Sequence, residues 1–212
     1  MSKPTVLLLG SRGRLTAIEQ DDAATIARWG ADSEFLRSAR VTGYEFARDV
    51  DRYLAGLDDP PYRSLAEIVE AGHVAPAVES RIREAGILDV DYDGLDENVE
   101  YLRRLARHRE LRVDTERRLV ERDLDALLYP PSTIPPVEIP AHQPFAEMNC
   151  ELAAHTGLPA IVVPAGYTDD GLPVGVELLG RAFSEPRLLD LAHAFERATG
   201  HRRPPEGFGP VG

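Results

Sequence analysis

Between Leu95 and about Arg122 the chain carries neither glycine nor proline, while beyond Asp123 short apolar runs alternate with both. An unbroken stretch of that length can propagate as one helix, whereas frequent proline and glycine stop helices and favour short strands and turns. Within the unbroken stretch Leu95, Val99, Leu102, Leu105, Ala106, Val113, Leu119 and Val120 recur mostly three or four apart, which predicts a long amphipathic helix. Its arginines, Arg103, Arg104, Arg107, Arg109, Arg112, Arg117 and Arg118, are interleaved with Glu100, Glu110, Asp114, Glu116 and Glu121. Opposite charges at such spacings read as a solvated helix face and not as a phosphate-binding patch.

After Asp123 the spacing predicts a strand over Leu124 to Tyr129 and an extended loop over the six prolines from Pro130 to Pro144. A helix from Phe145 to Thr156 is expected to end at Gly157. Strands over Ala160 to Val163 and Val174 to Leu179 should be joined by a turn holding Asp169, Asp170 and Gly171, and Ser184 should cap a last helix ending at Gly200. In the first half, Val6 to Leu9 reads as a strand. Thr16 with Glu19, Thr42 with Glu45, and Ser64 with Glu67 have capping-box spacing, so three helices are expected to start there. The first would run to about Arg37, the second would stop before Gly56 and the third at Gly72. A fourth, from about Ala75 to Glu84, would end at Gly86.

The formal charge of −12 over 212 residues disfavours nucleic acid and anionic membrane surfaces as partners. One cysteine, Cys150, fits a reducing compartment, and the run Val6 to Leu9 is too short for the apolar core of a signal peptide, so a cytoplasmic location is expected. No metal ligation is expected, because the six histidines are scattered and no Cys/His cluster has zinc spacing. No cofactor fingerprint occurs either: the Gly10-Ser11-Arg12-Gly13 turn lacks the third glycine and the Lys-Ser/Thr pair of a phosphate loop. Gly-x-Ser-x-Gly is absent. Cys150 with His142 or His155 could form a thiol dyad, but Cys150 falls beside Leu152 and Ala153 on what reads as the inner face of a helix, where an inert thiol is expected.

The last third holds the most specific pattern. DALLYPP at Asp125 to Pro131, Asn149, GLPAIVVPAG at Gly157 to Gly166, DGLPVGVELLGR at Asp170 to Arg181 and EPRLLDLAHAFE at Glu185 to Glu196 together resemble the C-terminal part of the amidase signature family. YEFARDVDRYLAG at Tyr44 to Gly56 and SLAEIVEAG at Ser64 to Gly72 look like the helical stretch that precedes it. The resemblance covers about 42–203 and leaves 1–41, a strand and a helix, with only a vague match.

The resemblance implies an α/β fold, a partial αβα sandwich in which a mixed sheet is flanked by helices, with 42–212 as the C-terminal part of an amidase-signature domain continuous with 1–41. It implies amide C–N hydrolysis through an acyl-enzyme, with a serine nucleophile activated through a second serine and a lysine. Serine needs such help because its hydroxyl is a poor nucleophile, and lysine serves as base only when burial lowers its pKa. In the family these groups lie in and upstream of a Gly- and Ser-rich stretch. This chain has no Gly-Gly-Ser-Ser-Gly-like run, Ser11 being the nearest imitation, and Lys3 is its single lysine. No catalytic residue is therefore assigned. Ser132, Thr133 and Asn149 occupy positions that in the family lie along or behind the substrate cleft, where a small amide would bind. The expectation is a chain silent on its own that associates as a homo-oligomer or with a second chain supplying the N-terminal amidase half; a non-enzymatic scaffold is the alternative. A sheet lacking its other strands must leave an edge for another chain to cover.

Overall fold

A computed structural model describes residues 6–10, 13–16, 39–138, 148–204 and 207. The chain divides into two compact units, 38–108 and the combination of 1–37 with 109–212.

The first unit holds three helices: α1 (Thr42–Ala55), α2 (Leu65–Glu70) and α3 (Pro76–Glu84), followed by a 3-10 turn at Ile87–Asp89. Ala47, Leu65, Val69 and Ile82 form its buried core. Ser64 caps α2 as its spacing predicts, its hydroxyl accepting from the Glu67 amide at 3.1 Å. Glu67 reaches back one residue further than a standard box, to the Arg63 amide at 2.7 Å, and Asp51 of α1 accepts from the Leu65 amide at 2.8 Å. Thr42 does not cap α1. The cap position is Val41 without a side-chain bond, and Glu45 instead accepts from the Tyr101 hydroxyl at 2.6 Å. A tertiary partner there outcompetes the local box.

The long helix α4 (Val99–Glu121) starts four residues after its expected first residue. Asn98 fixes that start by accepting from the amides of Glu100 and Tyr101 through its Oδ1. Leu95 is buried, but in the preceding turns. The helix crosses from one unit into the other, and Leu111, Thr115 and Leu119 are its buried stripe, while Val99, Leu102, Val113 and Val120 face solvent. Arg104 pairs with Glu100 and Arg118 with Asp114 one turn apart, so these cations are answered along the helix itself.

In the second unit Val6–Gly10 (β1) pairs antiparallel with Gly13–Thr16 (β2). The sequence reading missed β2, taking Thr16 as a helix cap; Thr16 ends the strand, and the expected helix body over 17–37 lies outside the described residues. A separate three-stranded sheet has the order β3 (Ala126–Tyr129), β5 (Pro173–Gly180), β4 (Ala160–Tyr167), with both ladders antiparallel. Among the described residues β1 pairs with β2 and with no strand of this sheet.

The hairpin of β4 and β5 forms as its Asp-Asp-Gly turn predicts, with Gly171 at φ 81° and the Leu172 amide donating to the Thr168 hydroxyl at 3.0 Å. One face of the sheet, with Ala126, Leu128, Ile161, Val163, Val176 and Leu178, packs on Leu188 and Ala192 of α6 (Glu185–Thr199). A Cβ at Gly180 would lie 2.2 Å from the Ser184 hydroxyl and 3.1 Å from Leu188, so glycine lets the helix sit against the strand end. The opposite face, with Leu127, Tyr129 and Leu179, packs on Leu111 of α4 and Leu152 of α5 (Glu151–Thr156). Helices on both faces make this unit an αβα arrangement. Helix α5 is shorter than the expected 145–156: Met148 forms a bridge to Ser132, and 139–147 lie outside the described residues.

Candidate functional site

The Pro130-Pro131 loop leaves β3 because proline cannot continue the ladder. The next turn of chain is then pinned by the segment entering α5. The Pro131 carbonyl accepts from the amides of Asn149 and Cys150 at 2.8 and 3.1 Å, and the Asn149 side-chain amide donates to the Pro130 carbonyl at 3.0 Å. Ser132 donates its hydroxyl to the Ile134 carbonyl at 2.7 Å. Ser132 and Asn149, 17 positions apart, are thus gathered at the end of β3. Thr133 is exposed beside them. An amide side chain holding one bond through Nδ2 has a second N–H and an acceptor oxygen to offer.

Next to this loop the sheet contains a feature the sequence reading overlooked. Glu177 sits on the central strand, 4 % exposed, directly opposite Tyr129 on one side and Val162 on the other. The Tyr129 hydroxyl donates to Glu177 Oε1 at 2.5 Å. Burial, followed by the bond to Glu177, pushes the phenol pKa far upward, so Tyr129 stays a donor. Burial also raises the Glu177 pKa, and the hydrogen bond from Tyr129 pulls it back down. The signal was there to read: a lone carboxylate inside Val-Gly-Val-Glu-Leu-Leu-Gly must be buried on one face and needs a partner.

Cys150 lies at the cap position of α5, half-buried. Burial, then the nearby charges of Glu177 and Glu151, push its thiol pKa up, the reverse of what an activated thiolate requires. His155 Nε2 is 3.7 Å from Glu151 Oε2. His142, Ser11 and Lys3 lie outside the described residues. Among the described residues no group of three or more His, Cys, Asp and Glu is placed to hold a metal ion, and no helix is long and apolar enough to cross a membrane.

The geometry is therefore a polar loop beside a buried Glu177 and a half-buried Tyr129. Known proteins are similar to this chain. A glutamyl-tRNA(Gln) amidotransferase subunit from Pseudomonas syringae pv. syringae is 44 % identical over 93 residues, 41 % of this chain and 19 % of that protein. A probable amidase of Arabidopsis thaliana is 32 % identical over 167 residues, 76 % of this chain and 29 % of that protein. The native peptide amidase of Stenotrophomonas maltophilia superposes with a TM-score of 0.59 at 29 % identity, covering 84 % of this chain and 36 % of that one. The chain thus spans less than a third of the length of those two sequence relatives. The Amidase family model matches residues 39–189, well over half of the 212, and on that match the chain belongs to the amidase family.

Proposed function

We propose that this chain is one part of an amide C–N hydrolase of the amidase signature type, forms a wall of its substrate cleft, and is catalytically silent by itself. The observation that carries this reading is the single lysine, Lys3, in a chain whose residues 39–189 match the amidase family. A serine nucleophile needs a neighbouring base to take its proton. These residues hold neither a Gly- and Ser-rich run nor an internal lysine, so in this reading that chemistry belongs to an N-terminal amidase half outside them. Within the wall, Ser132, Thr133 and Asn149 supply hydroxyl and amide groups that can orient a small amide substrate. The bridge and hydrogen bond that gather Ser132 and Asn149 at the end of β3 support this role, because groups already held in place lose little entropy on binding.

The test has two arms. The pure chain, treated with a fluorophosphonate probe and a panel of chromogenic amides, is expected to show neither labelling nor turnover; a labelled serine whose mutation abolishes hydrolysis would overturn the silent-part reading. In a chimera carrying residues 39–189 in place of the matched segment of the S. maltophilia peptide amidase, Asn149→Ala and Ser132→Ala should raise KM with kcat little changed. An unchanged KM removes those residues from the wall.

A further inference from the structure

Glu177 stands in the last residue pair of the β3–β5 ladder, opposite Tyr129. Beyond that pair the chain enters Pro130 and Pro131, which have no N–H to extend the ladder, so backbone pairing stops where the loop begins. A terminal pair opens more readily than an interior one. Here the Tyr129 hydroxyl, donating to Glu177 Oε1, ties the two strands together at that last pair. The carbonyls that follow carry the loop. Pro130 accepts from Asn149 Nδ2 at 3.0 Å, and Pro131 accepts from the Asn149 and Cys150 amides at 2.8 and 3.1 Å. The returning segment lies by the same pair, since the charge of Glu177 acts on the Cys150 thiol. Both chain segments that hold Asn149 therefore adjoin Glu177.

We infer that Glu177 is a positioning residue: acting through Tyr129, it holds the Pro130 and Pro131 carbonyls where they fix Asn149 and, with it, Ser132. As a statement about substrate binding this rests on the proposed function, and it names what keeps the wall in place. Packing alone does not call for a carboxylate here. An apolar side chain opposite a phenylalanine would fill similar space without taking a charge out of water, and replacing buried polar pairs in that way often leaves stability unchanged or higher. What the carboxylate and phenol add is direction, because their bond is made in one geometry and is lost when the Tyr129 backbone moves. Tyr129 is one residue from Pro130 and two from Pro131, so that geometry passes directly to the two carbonyls. Ser132 follows through its bridge to Met148, the neighbour of Asn149. Further along the same face, Leu127 and Leu179 pack on Leu111 and Leu152 and need no such bond.

Hydrogen exchange on the full chain tests the placement without reference to catalysis. In Tyr129→Phe the amides of Asn149 and Cys150 should exchange about 10-fold faster than in the unaltered chain. Leu188→Ala, which removes packing from the opposite face of the sheet, is the comparison. A general loss of stability would speed these two amides at least as much in Leu188→Ala, whereas positioning leaves them slower there than in Tyr129→Phe. Glu177→Gln, which keeps an oxygen for the Tyr129 hydroxyl, should retain most of the protection, and Glu177→Leu should lose it as Tyr129→Phe does. In the chimera with the S. maltophilia peptide amidase, Tyr129→Phe should raise KM about 5-fold with kcat little changed, and adding it to Asn149→Ala should raise KM no further. Unchanged exchange at Asn149 and Cys150 in Tyr129→Phe, exchange as fast or faster in Leu188→Ala, equal protection in Glu177→Gln and Glu177→Leu, or additive KM effects in the double variant would each overturn the inference. An Asn149→Ala variant with unchanged KM would instead sink the substrate wall, and exchange at Asn149 and Cys150 would still decide whether Glu177 places them.

Discussion

The two faces of the three-stranded sheet differ in what they bury. The face toward α6 is apolar throughout, built from Ala126, Leu128, Ile161, Val163, Val176 and Leu178 against Leu188 and Ala192. The face toward α4 and α5 combines Leu127 and Leu179 with a buried carboxylate and a half-buried phenol, and its β4 flank leaves Val162 open. The α6 face behaves as plain core, where volume and shape decide stability. The other is where a charge has been taken out of water, and there the protonation state matters.

Truncating the apolar face should give the largest effect. Leu188→Ala removes a side chain that is 3 % exposed and packed on the sheet, and a loss of about 3 kcal/mol is expected in urea unfolding. A loss as small as that of a surface substitution would mean α6 is not seated on this face. On the other face, Tyr129→Phe keeps the ring but leaves Glu177 buried without its donor, for an expected cost of about 1–3 kcal/mol. The cost should shrink when Glu177→Gln is added, since no charge is then stranded; equal costs in both backgrounds would show that the pair is not coupled.

Glu177→Gln alone sharpens the comparison through pH. A carboxylate whose folded pKa is raised keeps its proton longer in the folded than in the unfolded chain. Stability contributed by Glu177 therefore falls as pH rises above its ordinary value of 4.5, toward the raised folded pKa. Glu177→Gln should flatten the unfolding midpoint over that window, while Leu188→Ala should shift it without changing its slope. The smallest effect belongs to the rim of the apolar face. Asp125 accepts from Arg187 of α6 at 3.0 and 2.8 Å, and the hydrogen bond from Arg187 holds its pKa down. Its contribution has the opposite sign with pH: present above the ordinary value of 3.8 and lost as pH falls through the depressed one. Because both groups are partly exposed, Asp125→Asn should cost less than about 1 kcal/mol. A larger loss would make this ion pair a structural anchor.

Elements defined by local punctuation were legible in the sequence. The hairpin around Gly171, the Ser64 cap and the end of α6 at Gly200, φ 61°, depend on residues within a few positions of one another. Elements whose limits depend on distant groups were not. Glu45 is taken by Tyr101 from α4, 56 residues away, so the Thr42 box does not form. The segment expected to open a helix at Phe145 instead has Met148 bridged to Ser132. Residues Thr16 and Gly13 pair with β1, a choice between strand and helix that a capping pattern cannot make. The candidate wall shows the same division. Ser132, Thr133 and Asn149 stood out through family resemblance, but their attachment to the Pro130-Pro131 loop, and the Tyr129–Glu177 pair beneath it, required the ladder register.

By itself the sequence determined the family, through ordered blocks from Asp125 to Glu196, and the scarcity of lysine, with Lys3 alone among 24 Lys and Arg. Composition and motif order are properties of the chain that no folding step alters. Only the tertiary structure decided that Glu177 is buried against Tyr129. That follows from strand register, which sets Glu177 opposite Tyr129, 48 positions away, with Val162 on its other side, and so fixes the face each residue occupies.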